Sequence, residues 1–160
     1  MDIKKTMQNL DKNGIKPYFV KKKEDVVPLV KTLINKGESV SCGGSVTLDE
    51  TGVKALMQNG DYDFIDRSGL EGEQLRNAYI KTFGCDTFFT SSNAVTENGE
   101  LHNVDGNSNR VACIVYGPRQ VIMIVGVNKI VENLDEAILR VKTICAPMNT
   151  ERLGIATPCN

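Results

Sequence analysis

The sequence contains a single histidine, His102, in 160 residues. One imidazole, in a predicted hairpin, supports no Ser/His/Asp nucleophile set, and a packing or surface role suits it better than catalysis. The five cysteines, Cys42, Cys85, Cys113, Cys145 and Cys159, are scattered, with no C-x-x-C pair. That spacing argues against a zinc site and against a disulfide framework. It fits reduced, mostly buried thiols. No apolar run approaches the ~20 residues that span a bilayer. The segment from Met1 to Lys12 alternates polar and apolar residues and has no signal-peptide core. A cytoplasmic protein without membrane insertion is the expectation. Neither charge is in excess: 19 Lys and Arg stand against 20 Asp and Glu. Nothing therefore points to nucleic acid or to an anionic membrane, although a local anion site built from backbone N–H groups remains open. No internal repeat, linker or low-complexity segment interrupts the chain, and one domain, residues 1–160, is the simplest organisation.

What the chain does contain is an alternation of elements. Asp2 to Asn13 has helical apolar spacing, with Gly14 as its stop. Pro17 to Val20 reads as a short strand. Glu24 to Asn35 is a broad apolar helix in which Pro28 fits only within the first turn. Glu38 to Cys42 is a strand ended by Gly43-Gly44, and a helix capped by Thr47 or Asp49 runs to about Asn59. Tyr62 to Asp66 reads as strand, Glu71 to Phe83 as helix and Asp86 to Thr90 as strand. This order predicts an α/β layered fold with a mainly parallel central sheet flanked by helices. Asn98-Gly99 then marks the turn of a small hairpin around 93–104. Val111 to Tyr116 is helix or strand, and Gln120 to Val125 reads as the strongest buried strand in the chain. Leu134 to Ile144 is a closing helix with acids in its first turn and bases near its end. Ala146 to Asn160 reads as an irregular tail.

Three stretches fall at predicted carboxyl ends of strands, where α/β sheets bind ligands. In "SCGGSVTLDETG", Gly43 and Gly44 let a ligand approach the backbone. N–H groups and the Ser45 and Thr47 hydroxyls there suit a phosphate or carboxylate; the plainer reading is a capped glycine turn. The stretch lacks the lysine of a phosphate-binding P-loop. Cys42, just before it, is either a nucleophile at a helix start or a buried strand residue, the second being the better fit. In "TSSNAVTENGELHNVDGNSNR", the candidates are Ser92, Asn93, Thr96, Glu97, Asp105, Gly106, Asn109 and Arg110. Asn98, Asn103 and Asn107 are assigned to turns. Arg110 is either an anion clamp or a structural partner of Asp105 or Glu97. Glu97 is the one candidate for an acid/base or nucleophilic role. In "GVNKI", Asn128 and Lys129 would close the same rim.

"GGSVTLDETG", "FFTSSNAVTENGEL", "NVDGNSNRVACIVYGPRQVIMIVGVNKIV" and "APMNTERLGIATPC" together resemble the LUD domain family, the lactate-utilisation proteins. This family includes the C-type subunit found beside iron–sulfur subunits in bacterial lactate oxidation. The resemblance implies a Rossmann-like fold similar to the sugar-phosphate isomerase and coenzyme A transferase group. It implies a role in lactate or organic-acid utilisation, as a binder of a small anion (carboxylate, phosphate or coenzyme A ester) or as an accessory to iron–sulfur partner subunits. An isomerase or acyl/coenzyme A transferase activity is the alternative, for which the loop Glu97-Asn98-Gly99 is similar to the glutamate loop of some transferases. A homo-oligomer is compatible with either. The resemblance names no cofactor and no metal. Some family members continue past the "TPC" block into a cysteine-bearing tail; this sequence stops at Cys159-Asn160, as a short member or as one cut at that point.

Overall fold

In the computed structural model, residues 1–154 are described. In chain order the elements are α1 (Ile3–Lys12), α2 (Val26–Val30), β1 (Ser39–Cys42), α3 (Val46–Glu50), α4 (Val53–Met57), β2 (Asp63–Phe64), α5 (Gly72–Phe83) and β3 (Thr87–Thr90). There follow β4 (Ala94–Thr96), β5 (Leu101–His102), α6 (Asn109–Val115), β6 (Gln120–Met123), β7 (Ile130–Val131), α7 (Leu134–Arg140) and α8 (Ala146–Leu153). They form two compact units, each assembled from separate stretches of chain. No helix among the described residues is long and apolar enough to cross a membrane.

The larger unit, residues 20–91 and 105–124, is the α/β layer. Its sheet has the order β2-β1-β3-β6, parallel throughout. β3 is central and buried along its whole length. Its consecutive phenylalanines face opposite ways: Phe89 joins the cluster of Val26, Val30, Leu48, Val53, Leu56 and Met57, while Phe88 packs with Cys85 and Cys113. Burial of each such ring contributes roughly 1.5–3 kcal/mol. A parallel sheet must be covered on both faces; α2, α3 and α4 cover the first, and α5 and α6 the second.

The smaller unit holds α1, the hairpin and the C-terminal helices, from residues 1–19, 92–104 and 125–154. β4 pairs antiparallel with β5 and parallel with β7, and α7 packs on all three. The backbone of α1 lies on the hairpin turn. A Cβ at Gly99 would sit 2.6 Å from the Asn9 carbonyl carbon and 2.7 Å from Leu10 N, at a φ of +83°. Glycine serves there both for the turn and for the close approach.

Several predicted elements come out differently. Pro17 to Val20 forms no strand; the stretch is largely exposed and has no ladder partner. The helix from Glu24 shrinks to a 3-10 turn at Lys23–Asp25 followed by α2, with Pro28 inside the first turn of α2. The helix expected to run to Asn59 breaks into α3 and α4, because Gly52 between them has a φ of +76°. β6 is half-buried rather than buried, since it lies at the sheet edge. The tail is not irregular as far as Leu153. α7 passes through a π-helical turn, Val141–Cys145, into α8. Pro147, in the first turn of α8, has no N–H to give and would clash with a carbonyl one turn back, and a widened turn accommodates it. The rest of the tail, with Cys159, lies outside the described residues.

Candidate functional site

The sheet order carries functional information. β2 lies to one side of β1, and β3 and β6 to the other. The chain therefore reverses its direction of winding between β1 and β3, the topological switch point at which open α/β sheets bind ligands beyond their carboxyl ends. Gly43 and Gly44 follow β1 there, and Ser91 follows β3.

Gly43 is buried, and its N–H donates to the Phe89 carbonyl at 2.9 Å, extending the β1–β3 ladder. A Cβ on it would stand 3.1 Å from Arg110 Cδ and 3.3 Å from Thr90 Oγ1, so the loop is packed against the arginine stem. Gly44 is exposed, with open space where a Cβ would be. Ser45, the N-cap of α3, is half-buried, and its side chain makes no capping bond. Thr47 is half-buried in the first turn of α3.

Arg110 is committed to Asp105. Its Nε donates to Asp105 Oδ1 at 2.8 Å, its Nη2 lies 2.7 Å from the same oxygen, and its Nη1 donates to the Ser91 carbonyl at 3.1 Å. The Asp105 Oδ2 accepts the Val111 N–H at 2.7 Å. Both residues are half-buried, with side chains 14% and 8% exposed. Of the roles left open for Arg110, the structure displays the partnership with Asp105. The pair ties the end of β3 to the start of α6 and shapes the floor under Gly43. Gly106 is exposed in the connecting loop. Ser108, in the same loop, has a φ of 60°, the single non-glycine residue with positive φ among those described. Asn109 opens α6, half-buried.

The remaining candidates belong to the smaller unit. Ser92 Oγ donates to the Ala94 carbonyl at 2.8 Å. Asn93 and Asn103 brace each other across the hairpin: Asn93 N–H donates to Asn103 Oδ1 at 3.2 Å, and Asn93 Oδ1 accepts the Val104 N–H at 3.0 Å. Thr96 is fully buried and donates to Glu100 Oε2 at 2.6 Å. Glu97 is buried. Its Oε1 accepts the Asp2 N–H at 2.7 Å, and Lys5 Nζ lies 3.2 Å from Oε2. The Asp2 N–H, then the Lys5 ammonium, hold its carboxyl below the usual carboxylate range. Such a carboxylate is a weak proton acceptor. Its carbonyl also takes the Asn9 amide at 2.8 Å, so Glu97 anchors α1 to the hairpin. Asn128 folds its Oδ1 back to 2.6 Å from where a Gly126 Cβ would be, and Lys129 ends a 3-10 turn, half-buried.

Burial pushes the Cys42 thiol up, against the opposing fields of Arg67 and Lys54. It is a neutral strand residue rather than a nucleophile. Arg67 escaped the sequence reading. It follows β2, donates to the Cys42 carbonyl and stacks on Tyr79, 5.0 Å from the ring centroid. The available signal was an arginine just past a predicted strand, in "DFIDRSG".

The family model described as LUD domain matches residues 3–160. No curated protein matches the chain.

Proposed function

The chain belongs to the LUD domain family, and from that premise we propose that it serves lactate or related organic-acid utilisation by binding a small carboxylate at the switch point of its larger unit. Gly44, Ser45 and Thr47 supply the donors, and Gly43 allows the close packing beneath them. What supports this reading is the strand order β2-β1-β3-β6 with the Gly43-Gly44 loop directly after β1. Asp105 and Arg110 hold the floor of the site. The protein acts in the cytoplasm as a binding or accessory component beside an iron–sulfur lactate-oxidising partner.

An isomerase or coenzyme A transferase needs a carboxylate free to act on substrate. The side chain of Glu97 is engaged by α1 at both oxygens, which favours the binding reading over the enzymatic one. Calorimetric titration with lactate, glycolate and phosphate tests it. Lactate binding is expected, and Ser45→Ala should weaken it roughly 10- to 100-fold, the loss of one hydrogen bond to a charged group. Unaltered affinity in Ser45→Ala, or no binding of any of the three, would overturn the assignment.

A further inference from the structure

We propose that the cleft between α5 and α6 is a separate small-molecule site, one that takes a small carboxylate bearing an apolar chain or ring. The cleft encloses about 270 Å³. Pockets for drug-sized ligands run from ~300 to 1,000 Å³, so the occupant is smaller than these. The inference stands apart from the switch-point reading, because none of Gly43, Gly44, Ser45 and Thr47 lines the cleft.

The walls decide the chemical class. Phe83, Phe88, Ala112 and Cys113 give apolar surface, with Phe88 and Cys113 buried at the base. The charged and amide groups in the lining are Arg67 and Asn109, while the Thr82 hydroxyl is bonded to that of Ser41 at 3.0 Å. Arg67 is half-buried, yet it forms no ion pair with a carboxylate among the described residues. Its described partners are the Cys42 carbonyl and the face of Tyr79. A guanidinium has five N–H donors, and one carbonyl leaves most of them unspent. Its field reaches the cleft, where it opposes the burial that pushes the Cys113 thiol up. A half-buried cation beside apolar walls, lacking a counter-ion of its own, is matched by an anion carrying an apolar group. A carboxylate answers a guanidinium fork with two parallel bonds, and a single fork balances a single charge. Asn109 can donate its amide to the same group. The apolar remainder of the ligand lies over Phe88 and Cys113 and exits past Phe83, which is partly exposed and whose ring stands 6.1 Å from that of Tyr116.

The test is calorimetry with acetate, butyrate, hexanoate and benzoate, and with benzamide as the neutral counterpart of benzoate. Affinity should rise from acetate to hexanoate, and benzoate should bind at least tenfold tighter than benzamide. Arg67→Met should bring the benzoate and benzamide affinities to within about twofold of each other. Ala112→Leu, which narrows a wall and leaves the guanidinium alone, should weaken both at least tenfold. Ser45→Ala should change neither. The proposal is overturned if none of these compounds binds, or if benzoate shows no preference over benzamide. It is equally overturned if binding survives Ala112→Leu, or if it is lost in Ser45→Ala, which would put the anion in the glycine loop instead.

Discussion

Replacing Arg110 by methionine keeps the aliphatic stem beneath Gly43 and removes the guanidinium. Asp105 Oδ1 then loses both close N–H groups, at 2.7 and 2.8 Å. The Oδ2 keeps the Val111 N–H. Leaving one member of a buried ion pair unpaired costs about 3–5 kcal/mol. The surviving bond to Val111 argues for the lower end, about 3 kcal/mol, with the lost donor to the Ser91 carbonyl adding up to ~1 kcal/mol. A domain of this size holds only ~5–15 kcal/mol in total, so the loss is large. It corresponds to a fall of roughly 6–15 °C in Tm, at about 2–4 °C per kcal/mol. Asp105→Asn keeps one acceptor oxygen, so one of its two donors, Arg110 or the Val111 N–H, loses its partner, and it should cost about 1.5–3 kcal/mol. The two changes act on one contact, so the double variant should be about 2 kcal/mol more stable than the sum of the singles predicts. Urea unfolding of the four proteins, followed by circular dichroism and tyrosine fluorescence, measures this. If Arg110→Met costs under ~1 kcal/mol, or if the two costs add within ~0.5 kcal/mol, the buried-pair reasoning fails. Lost lactate binding with unchanged stability would instead make Arg110 an anion clamp.

Gly99→Ala should destabilise far more than Gly14→Ala. Both glycines have positive φ, +83° and +80°, but only Gly99 faces the α1 backbone. The φ penalty is about 1–2 kcal/mol in each, and the clash should add roughly 1–3 kcal/mol at Gly99 alone; equal Tm losses would refute the close approach. Glu97 gives a pH prediction. Its folded pKa lies below the ordinary 4.5, so its contribution to stability is complete above that value and declines as pH falls through the folded value. Glu97→Gln should therefore lower stability at neutral pH and flatten the acid arm of the stability–pH curve below about 4.5. An unaltered acid arm would show that the carboxylate is not held by α1.

Much of the fold was readable because it rests on local signals. The spacing of α1 with its stop at Gly14, the run from Glu71 to Phe83, and Asn98-Gly99 between two apolar pairs each carry their cause within a dozen residues. The β3 strand was readable as a short element after the helix stop at Gly84, although only Phe88 and Phe89 in it are apolar. Among the site residues, the glycine loop after a strand was equally visible, because a strand followed by Gly-Gly is a local pattern. The fate of the hairpin polar residues was not. Asn93 looked like a ligand contact and Asn103 like turn filler, yet the two bond each other across the hairpin.

Sequence by itself determined the α/β class, the helix periods, the hairpin turn and the position of glycines at a strand end, since periodicity and turn chemistry act over neighbours. Tertiary structure alone decided which strand lies at the edge, and so why "QVIMIV" is only half-buried. It also brought Ile130–Val131 beside β4 as a strand and let Pro147 sit in a helix after a π turn. It chose the partners of the charges: Lys5 and the Asp2 N–H for Glu97, 92 and 95 residues away in the chain, and Asp105 for Arg110. Those choices escape a sequence reading because a charge is satisfied by whatever donor folding brings within about 3 Å, and distance along the chain says nothing about that.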